Sequence, residues 1–472
     1  MTIKPDKWQL DDEEITRELE SGTIPSEMIC LGCAAKVNLV DTVYPALDMV
    51  RDRTSHLEFV RFQKRDDSYY FRSDRNVKLA RTVLPLAELS SFKNPGVTES
   101  LRNNGAGGAI LLFNFTPNPK VDFFANILTN LLLSLEDAHT PVIVGKGHTI
   151  QLARVPEETC VMADFISHSG SRYWGLANND TISNVDPMLP HSHKFAVAIA
   201  MHNTLNDLFI YGITNDFIIY PSYDARDEAG IEAIRDSIRW YSSHFADLGL
   251  TINDPGPLKT NNKLIGATVI GFTDREIPLN TGLVPGQTII ATRPIGDIAP
   301  LNEYLMRKSL NEDTSDIEEL RRHVIKTMMI PNIEVAKIIR DYLPQLGEPI
   351  DSKRHITSTR DMSGPGMLAL EELAEDSSCD IFVRRIVWHD ERIADVEVTN
   401  VTAGTNGAIL IAATPNVNFE IMSRLKEAGF EPWVVGYVGE KNEKPKIILD
   451  KSLQKYRFLT SGRGFFKNCA FA

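Results

Sequence analysis

The sequence predicts an α/β chain, and three observations carry that expectation. Short apolar runs of strand type alternate with stretches whose apolar residues recur at helical spacing, the order that lays helices against a sheet. Gly, Pro, Asn and Ser clusters punctuate the runs. One unit also occurs twice. Gly107-Gly108-Ala109-Ile110-Leu111-Leu112 leads to Thr116-Pro117-Asn118, a helical pattern and Pro141-Val142-Ile143-Val144-Gly145. Asn406-Gly407-Ala408-Ile409-Leu410-Ile411 leads in the same way to Thr414-Pro415-Asn416, a helical pattern and Pro432-Trp433-Val434-Val435-Gly436. A separation of about 300 residues is the spacing of a duplicated unit and not of a solenoid; any β-α-β unit shares the general order.

Along the chain, residues 1–27 form an acidic, exposed lead-in with a short helix over Glu13–Glu20. Residues 38–76 mix a helical pattern with the polar run Lys64-Arg65-Asp66-Asp67-Ser68. A loop at Thr116–Pro119 precedes a long amphipathic helix to His139, its apolar face made by Phe123, Phe124, Ile127, Leu128, Leu131 and Leu132. Pro141–Val144 reads as a short buried strand. Residues 166–193 are rich in Ser, Asn, Asp, Pro and His and predict a loop. Phe195–Gly212 predicts a helix on the core. Strands are expected at Asp216–Tyr220, Leu264–Phe272 and Thr288–Pro294, the last ending in a turn at Pro294-Ile295-Gly296, and a helix at Ile333–Tyr342.

A chain of 472 residues is too long for a single core, so two or three domains are expected. Its formal charge of −13 argues against nucleic acid as the main partner, though not against a nucleotide held in a local phosphate site. No run of about 18 uninterrupted apolar residues predicts a membrane span. The polar segment Met1–Glu20 does not read as a signal peptide. Five scattered cysteines fit reduced thiols in a cytoplasm better than a disulfide frame. Cys30 and Cys33 form a single C-x-x-C pair, too few ligands for a structural zinc site.

Five stretches carry chemistry. Leu31-Gly32-Cys33-Ala34-Ala35-Lys36-Val37 sets a thiol three residues before a lysine on small residues that allow close backbone approach; a thiolate is a soft nucleophile and an ammonium a compact phosphate-binding charge. A buried structural Cys beside a surface Lys gives the same string. Asp164 follows the apolar run Cys160–Ala163, which sets its carboxylate at a strand end. Asn203 and Asp207 lie four apart on one helical face. Asp361, in Arg360-Asp361-Met362-Ser363-Gly364-Pro365-Gly366, forms an acidic turn opening a helix. Gly404 and Gly407 bracket a turn entering a buried strand. Magnesium takes hard oxygen ligands, a few carboxylates plus substrate phosphates, which Asp207 and Asp361 could supply if the fold brings them together; each acid alone also fits a helix cap or a solvated charge. His191-x-His193, with His168 and His202 near in sequence, is either a transition-metal cluster or ordinary polar surface. Phe465-Phe466 reads as a docking pair or as core.

In this order the stretches resemble selenophosphate synthetase (selenide, water dikinase), within the superfamily of aminoimidazole ribonucleotide synthetase. Gly32-Cys33-Ala34-Ala35-Lys36-Val37 resembles its N-terminal Gly-Cys/Sec-Gly-Cys-Lys-Val loop, Asp164-Phe165 its Thr-Thr-Asp-Phe-Phe, and Asn203–Asp207 its Asn-Ala-Ile-Ser-Asp. Asp361 with Gly364 and Gly366 resembles Thr-Asp-Val-Thr-Gly-Phe-Gly, and Gly404–Gly407 the Thr-Ser-Gly-Gly turn. The resemblance covers residues 28–40 and, loosely, 155–440. It implies two synthetase-like domains, a barrel-forming one at 151–285 and an α/β sandwich at 286–472, preceded by a flexible Cys/Lys segment at 1–40 and an inserted or duplicated α/β segment at 41–150. It implies a homodimer in which the N-terminal domains share a β-barrel. It also implies transfer of a phosphoryl group from ATP to selenide or a related reduced chalcogen. In that scheme Cys33 and Lys36 are catalytic, and Lys36, Asp164, Asn203, Gly404 and Gly407 hold nucleotide. Asp67, Asp207 and Asp361 hold Mg2+.

The chain departs from the family pattern at three places. Ala35 stands where the family has a second loop cysteine. The family's Arg-Asp-Asp-Ala-Ala-Val acid is matched by Asp67 in Arg65-Asp66-Asp67, or else that ligand is lost and the insertion begins near residue 38. The family's Gly-Gly-His-Ser is replaced in its region by Asn253-Asp254-Pro255-Gly256-Pro257. Three functions therefore stand side by side: a selenophosphate-forming or sulfur-analogue kinase, an ATP-dependent enzyme of the superfamily with another acceptor, and a non-catalytic nucleotide-binding relative.

Overall fold

The computed structural model describes residues 8, 10–23, 44–58, 60–62, 129, 142–144, 150–152, 162–166, 172–182, 185–258, 264–278, 282–363, 366–392, 407–456 and 469–472. Its class is the expected mixed α/β, built on three sheets. After helices α1 (Asp12–Glu20) and α2 (Tyr44–Arg53), strands β1 (Val60–Phe62), β2 (Val142–Val144) and β3 (Ile150–Leu152) form a small sheet, β1 parallel and β3 antiparallel to β2. Of the expected helix before Pro141 only Thr129 is described, as helical, and the first copy's Gly107–Leu112 run lies outside the described residues, which leaves the duplication an expectation.

The second sheet combines β4 (Met162–Ile166), β5 (Arg172–Ile182), β6 (Phe217–Asp224), β7 (Leu250–Ile252) and β8 (Leu264–Thr273) in the order β4-β5-β8-β6-β7. All its pairs are antiparallel except β6–β7 at the edge. Pro221 lies past the last residue that β7 pairs, where a missing N–H donor costs no ladder bond. Helices α3 (Lys194–Phe209) and α4 (Glu228–His244) belong to this unit. Every residue of α3 from Phe195 to Phe209 is buried, the signature of a helix packed on all sides, so its polar residues must find partners inside the protein.

The third sheet has seven strands in the order β10-β12-β9-β13-β11-β14-β15. These are β9 (Thr288–Ala291), β10 (Ser358–Asp361), β11 (Cys379–Val383), β12 (Ile409–Ala413), β13 (Trp433–Lys441), β14 (Ile447–Leu449) and β15 (Cys469–Phe471). Helices α5 (Ala299–Ser309), α6 (Ser315–Met328), α7 (Ile333–Asp341), α8 (Ala369–Ser377) and α9 (Pro415–Glu427) accompany it. β12, paired on both sides, is buried at all five residues and reads as an unbroken apolar run. Pro415 at the first turn of α9 starts that helix without losing a bonded N–H.

Most expected elements appear within a few residues of their predicted bounds, with three corrections. Residues 172–182, inside the expected loop, are the eleven-residue strand β5. The polar residues that gave the loop signal, Asn178 and Asp180, sit on the face turned to α3 and bond to its side chains, so strand pairing and polar burial coexist. Asp164 lies in the middle of β4, opposite Trp174, and not at a strand end. Asp361 is the last residue of β10, and a short 3-10 turn at Gly366–Leu368 precedes α8.

The second- and third-sheet units share one apolar core. Thr359 Oγ1 donates to the Ile210 carbonyl at 2.7 Å, and the Leu346 N–H to the Asp274 carbonyl at 2.8 Å. α1 straps both units: Glu14 and Glu18 pair with Lys194, at 2.8 and 3.2 Å, and Asp12 pairs with Lys326. Among the described residues no helix is long and apolar enough to cross a membrane.

Candidate functional site

α3 carries its polar residues on two faces. Asn203 and Asp207, one turn apart, face β5: Asn203 Nδ2 donates to Asp180, and Asp207 accepts from Asn178 Nδ2. β8 crosses closely behind this point. Gly266 permits it, because a Cβ there would lie 2.0 Å from the Asp180 carbonyl oxygen. Asn203 Oδ1 is buried and accepts no hydrogen bond among the described residues.

The adjacent face of α3 meets the third-sheet unit through Asn206. Its Oδ1 accepts from Asn332 Nδ2 at 2.9 Å and its Nδ2 donates to Ser363 Oγ at 3.4 Å. Ser363 Oγ donates to Asp361 Oδ1 at 3.0 Å and accepts from the Gly407 N–H at 3.3 Å. Asn332 Nδ2 also reaches the Gly407 carbonyl at 3.4 Å, while its Oδ1 accepts from Arg293 Nη2. Residues more than 150 positions apart therefore close a hydrogen-bonded circuit at the seam between the two units. All its members are buried, and satisfied amide and hydroxyl groups hold the seam in one geometry.

Arg293 supplies the seam's buried cation. Burial lowers its pKa to about 10, opposed by the nearby carboxylates of Asp297 and Asp361, and it stays charged at neutral pH. Its Nη1 donates to the Thr327 carbonyl at 2.9 Å.

The fold thus brings Asp361 and Gly407 to one seam, and sets Asn203 and Asp207 on the neighbouring, β5-facing side of α3. Asp164 lies on the strand beside β5. Cys33, Lys36, Asp67 and Gly404 lie outside the described residues, as do Cys30, His168 and Phe465-Phe466. Asn206, Asn332, Ser363 and Arg293 of the seam, and Asn178 and Asp180 on β5, are polar residues that the motifs did not single out as site residues. Their one sequence signal is a polar residue placed within or beside an apolar element, as in Ile330-Pro331-Asn332 and Ala291-Thr292-Arg293.

The described histidines of the possible metal cluster each have a separate structural partner. His191 Nε2 lies 3.2 Å from the Asp224 carbonyl oxygen, and His193 accepts from the Phe195 N–H while its Nε2 meets Glu18 at 3.0 Å. His202 Nδ1 lies 3.3 Å from the Met328 carbonyl oxygen. Among the described residues no group of three or more His, Cys, Asp and Glu side chains is placed to hold a metal ion. Asp207 and Asp361 are the hard-oxygen donors the seam offers toward a magnesium–nucleotide complex, and the unpartnered Asn203 Oδ1 is a further oxygen acceptor beside them.

No protein-family model matches the chain, and no curated protein matches it. Solved structures are similar in fold. A thiamine-monophosphate kinase from Stenotrophomonas maltophilia is 14% identical, over 60% of this chain and 90% of that one, at a TM-score of 0.43. The hydrogenase maturation protein HypE of E. coli is 14% identical, over 58% of this chain and 81% of that one, at 0.42. HypE in complex with ATP is 16% identical, over 58% and 82%, at 0.40. A likeness at this level assigns no residue of this chain a role.

Proposed function

We propose that this chain is an ATP- and Mg2+-dependent phosphotransferase whose acceptor is selenide or another reduced chalcogen. One observation supports this above the rest: the neighbours of Asp207, Asp361 and Gly407, three motifs remote in sequence, are hydrogen-bonded into a single seam. Asp207 and Asp361 hold the metal, which when bound offsets charge on the nucleotide phosphates. Asn203 and Asp164 orient the nucleotide, and the Gly404–Gly407 turn lets backbone approach its phosphates. Lys36 offsets charge on the transferred group, and Cys33 presents the chalcogen for in-line attack. The new bond joins chalcogen to the γ-phosphorus as the phosphorus–oxygen bond to the leaving nucleotide breaks. Asp67 serves as the third acid.

Anaerobic phosphorus NMR with Mg2+ and ATP, with and without selenide, tests this directly. A selenide-dependent phosphorus–selenium signal is expected. Selenide-independent turnover would assign another acceptor, a second reading favoured by Ala35 in place of a loop cysteine. ATP binding without turnover would leave a non-catalytic relative. Cys33→Ser should abolish only the chalcogen-dependent reaction. Asp207→Asn should lower Mg2+-dependent turnover about 100-fold or more, with the fold retained by circular dichroism.

A homodimer belongs to the same proposal. The face of the second sheet opposite α3 carries Tyr220 and Phe272, 39% and 37% exposed, with the half-buried Tyr173, Ile218 and Ile270 beside them. Sedimentation should show a dimer that Phe272→Asp converts to monomer.

A further inference from the structure

A second group of ionisable side chains lies on the third-sheet unit, beyond Arg293. Asp297 is fully buried just before α5, and its Oδ1 lies 2.5 Å from His389 Nε2. His389 has a side chain only 1% exposed, and its Nδ1 lies 3.3 Å from Nε2 of His323, an exposed residue of α6. The two histidines line a cavity of about 280 Å³ with Arg293, Lys326, Phe430 and Glu431. The Arg293 guanidinium stacks over the Phe430 ring at 5.2 Å.

The proton positions in this row are constrained. The Asp297 carboxylate requires a proton on His389 Nε2. The imidazole–imidazole bond requires one proton between Nδ1 of His389 and Nε2 of His323. With no further proton, His323 donates to His389, and its outer Nδ1 is a bare acceptor. When one proton enters at that Nδ1, the shared proton shifts to His389, and the positive charge rests beside Asp297. His323 is then neutral but presents an N–H donor. Burial lowers the His323 pKa, and the neighbouring His389 lowers it further.

We propose that this cavity binds a small tetrahedral oxyanion, a phosphate or sulfate group, together with one proton taken up by the Asp297–His389–His323 row. The charges facing it make the proton decisive. Lys326 and Arg293 line it with Glu431, while Asp297 stands behind His389 and Asp361 acts on Arg293, two cations against three carboxylates. On the outer side His323 and Lys326 also line a groove with Asp12, Glu13, Glu20 and Glu319, faced by Arg17 and Arg322. The proton gained by the row adds one positive charge and an N–H donor on His323, a residue that lines the cavity. The row itself shares no residue with the seam, while Arg293, which lines the cavity, bonds to Asn332 of that seam.

Sulfate is the probe, since it does not itself titrate from about pH 6 to about pH 8. Calorimetry on the full chain, in buffers of different ionisation enthalpy, should show uptake of one proton per sulfate. Affinity should fall by about tenfold per pH unit once the row has lost its proton. His389→Asn and His323→Gln should each remove the pH dependence and weaken binding at the acid end at least tenfold. Nitrogen NMR of the unmodified protein keeps the test independent of how the variants fold: sulfate should move His323 Nδ1 from bare to protonated. Sulfate binding that is independent of pH, or that leaves both ring spectra unchanged, overturns the proposal.

Discussion

Two of the polar joints between the second- and third-sheet units are built on opposite principles. One is a charged strut: Asp186, just before α3, takes the Arg321 Nε–H at 2.8 Å, with Nη2 of the same guanidinium 2.6 Å from the same oxygen, both side chains 2% exposed. The Arg321 guanidinium also lies over the Tyr304 ring, 4.3 Å from its centroid. The other joint is the seam, where the uncharged groups of Asn206, Asn332, Ser363 and Gly407 make the links between the units. A buried ion pair must overcome the desolvation of two charges, so it is expensive to break but easily matched by apolar packing. Amides and hydroxyls are cheaper to bury, but each needs its partners in place, which makes the seam a positioning device. The strut fastens the units; the seam holds α3 in register with the turn after Asp361.

The largest expected effect follows from cutting the strut on one side. Arg321→Ala leaves Asp186 as an uncompensated buried charge and should cost about 3–5 kcal/mol in denaturant unfolding. Replacing both partners, Asp186→Leu with Arg321→Met, should recover most of that loss. If the single and double variants are equally unstable, the strut has no role separable from its packing. Asn206→Ala should cost less, about 1–3 kcal/mol, by stranding Asn332 and Ser363. Under the proposed function its effect on Mg2+-dependent turnover should be the greater of the two, because it loosens the seam beside Asp207 and Asp361. A double-mutant cycle of Asn206→Ala with Ser363→Ala should give a coupling of about 0.5–3 kcal/mol, whereas Asn206→Ala with Arg321→Ala should be closer to additive.

The same contrast explains how far the sequence could be read. Strands such as Leu264–Thr273 and Ile409–Ala413 were visible because apolar residues alone describe them. β5 was hidden because Asn178-Asn179-Asp180 looks like a loop when the partners of Asn178 and Asp180, on a helix more than twenty residues later, are unknown. Asn203 and Asp207 were legible as a pair because helical spacing is local. The seam was not: Asn206, Asn332, Ser363 and Arg293 have no mutual spacing rule, and only the packing of one sheet unit on the other makes them neighbours. The Asp297–His389–His323 row was invisible for the same reason, since its nearest members in sequence come from different elements.

His202 gives the smallest effect, and it separates the neutral interior from the charged strut by pH alone. It sits in the middle of α3, its ring edge-on to Phe245 with centroids 4.7 Å apart, and burial lowers its pKa to about 3. The folded value lies below the unfolded value near 6.5, so the neutral ring contributes stability that is fully present above the unfolded value and is lost as pH falls toward the folded one. At about one pH unit below the unfolded value the loss should be about 1.4 kcal/mol. His202→Phe keeps the ring packing and removes the titration, although it leaves the Met328 carbonyl without its imidazole donor. Denaturant midpoints measured across this range should therefore show a lower but flatter profile for the variant. A variant profile as steep as that of the unsubstituted protein would place the acid sensitivity in the carboxylates that pair α1 and the strut, and not in the buried imidazole of α3.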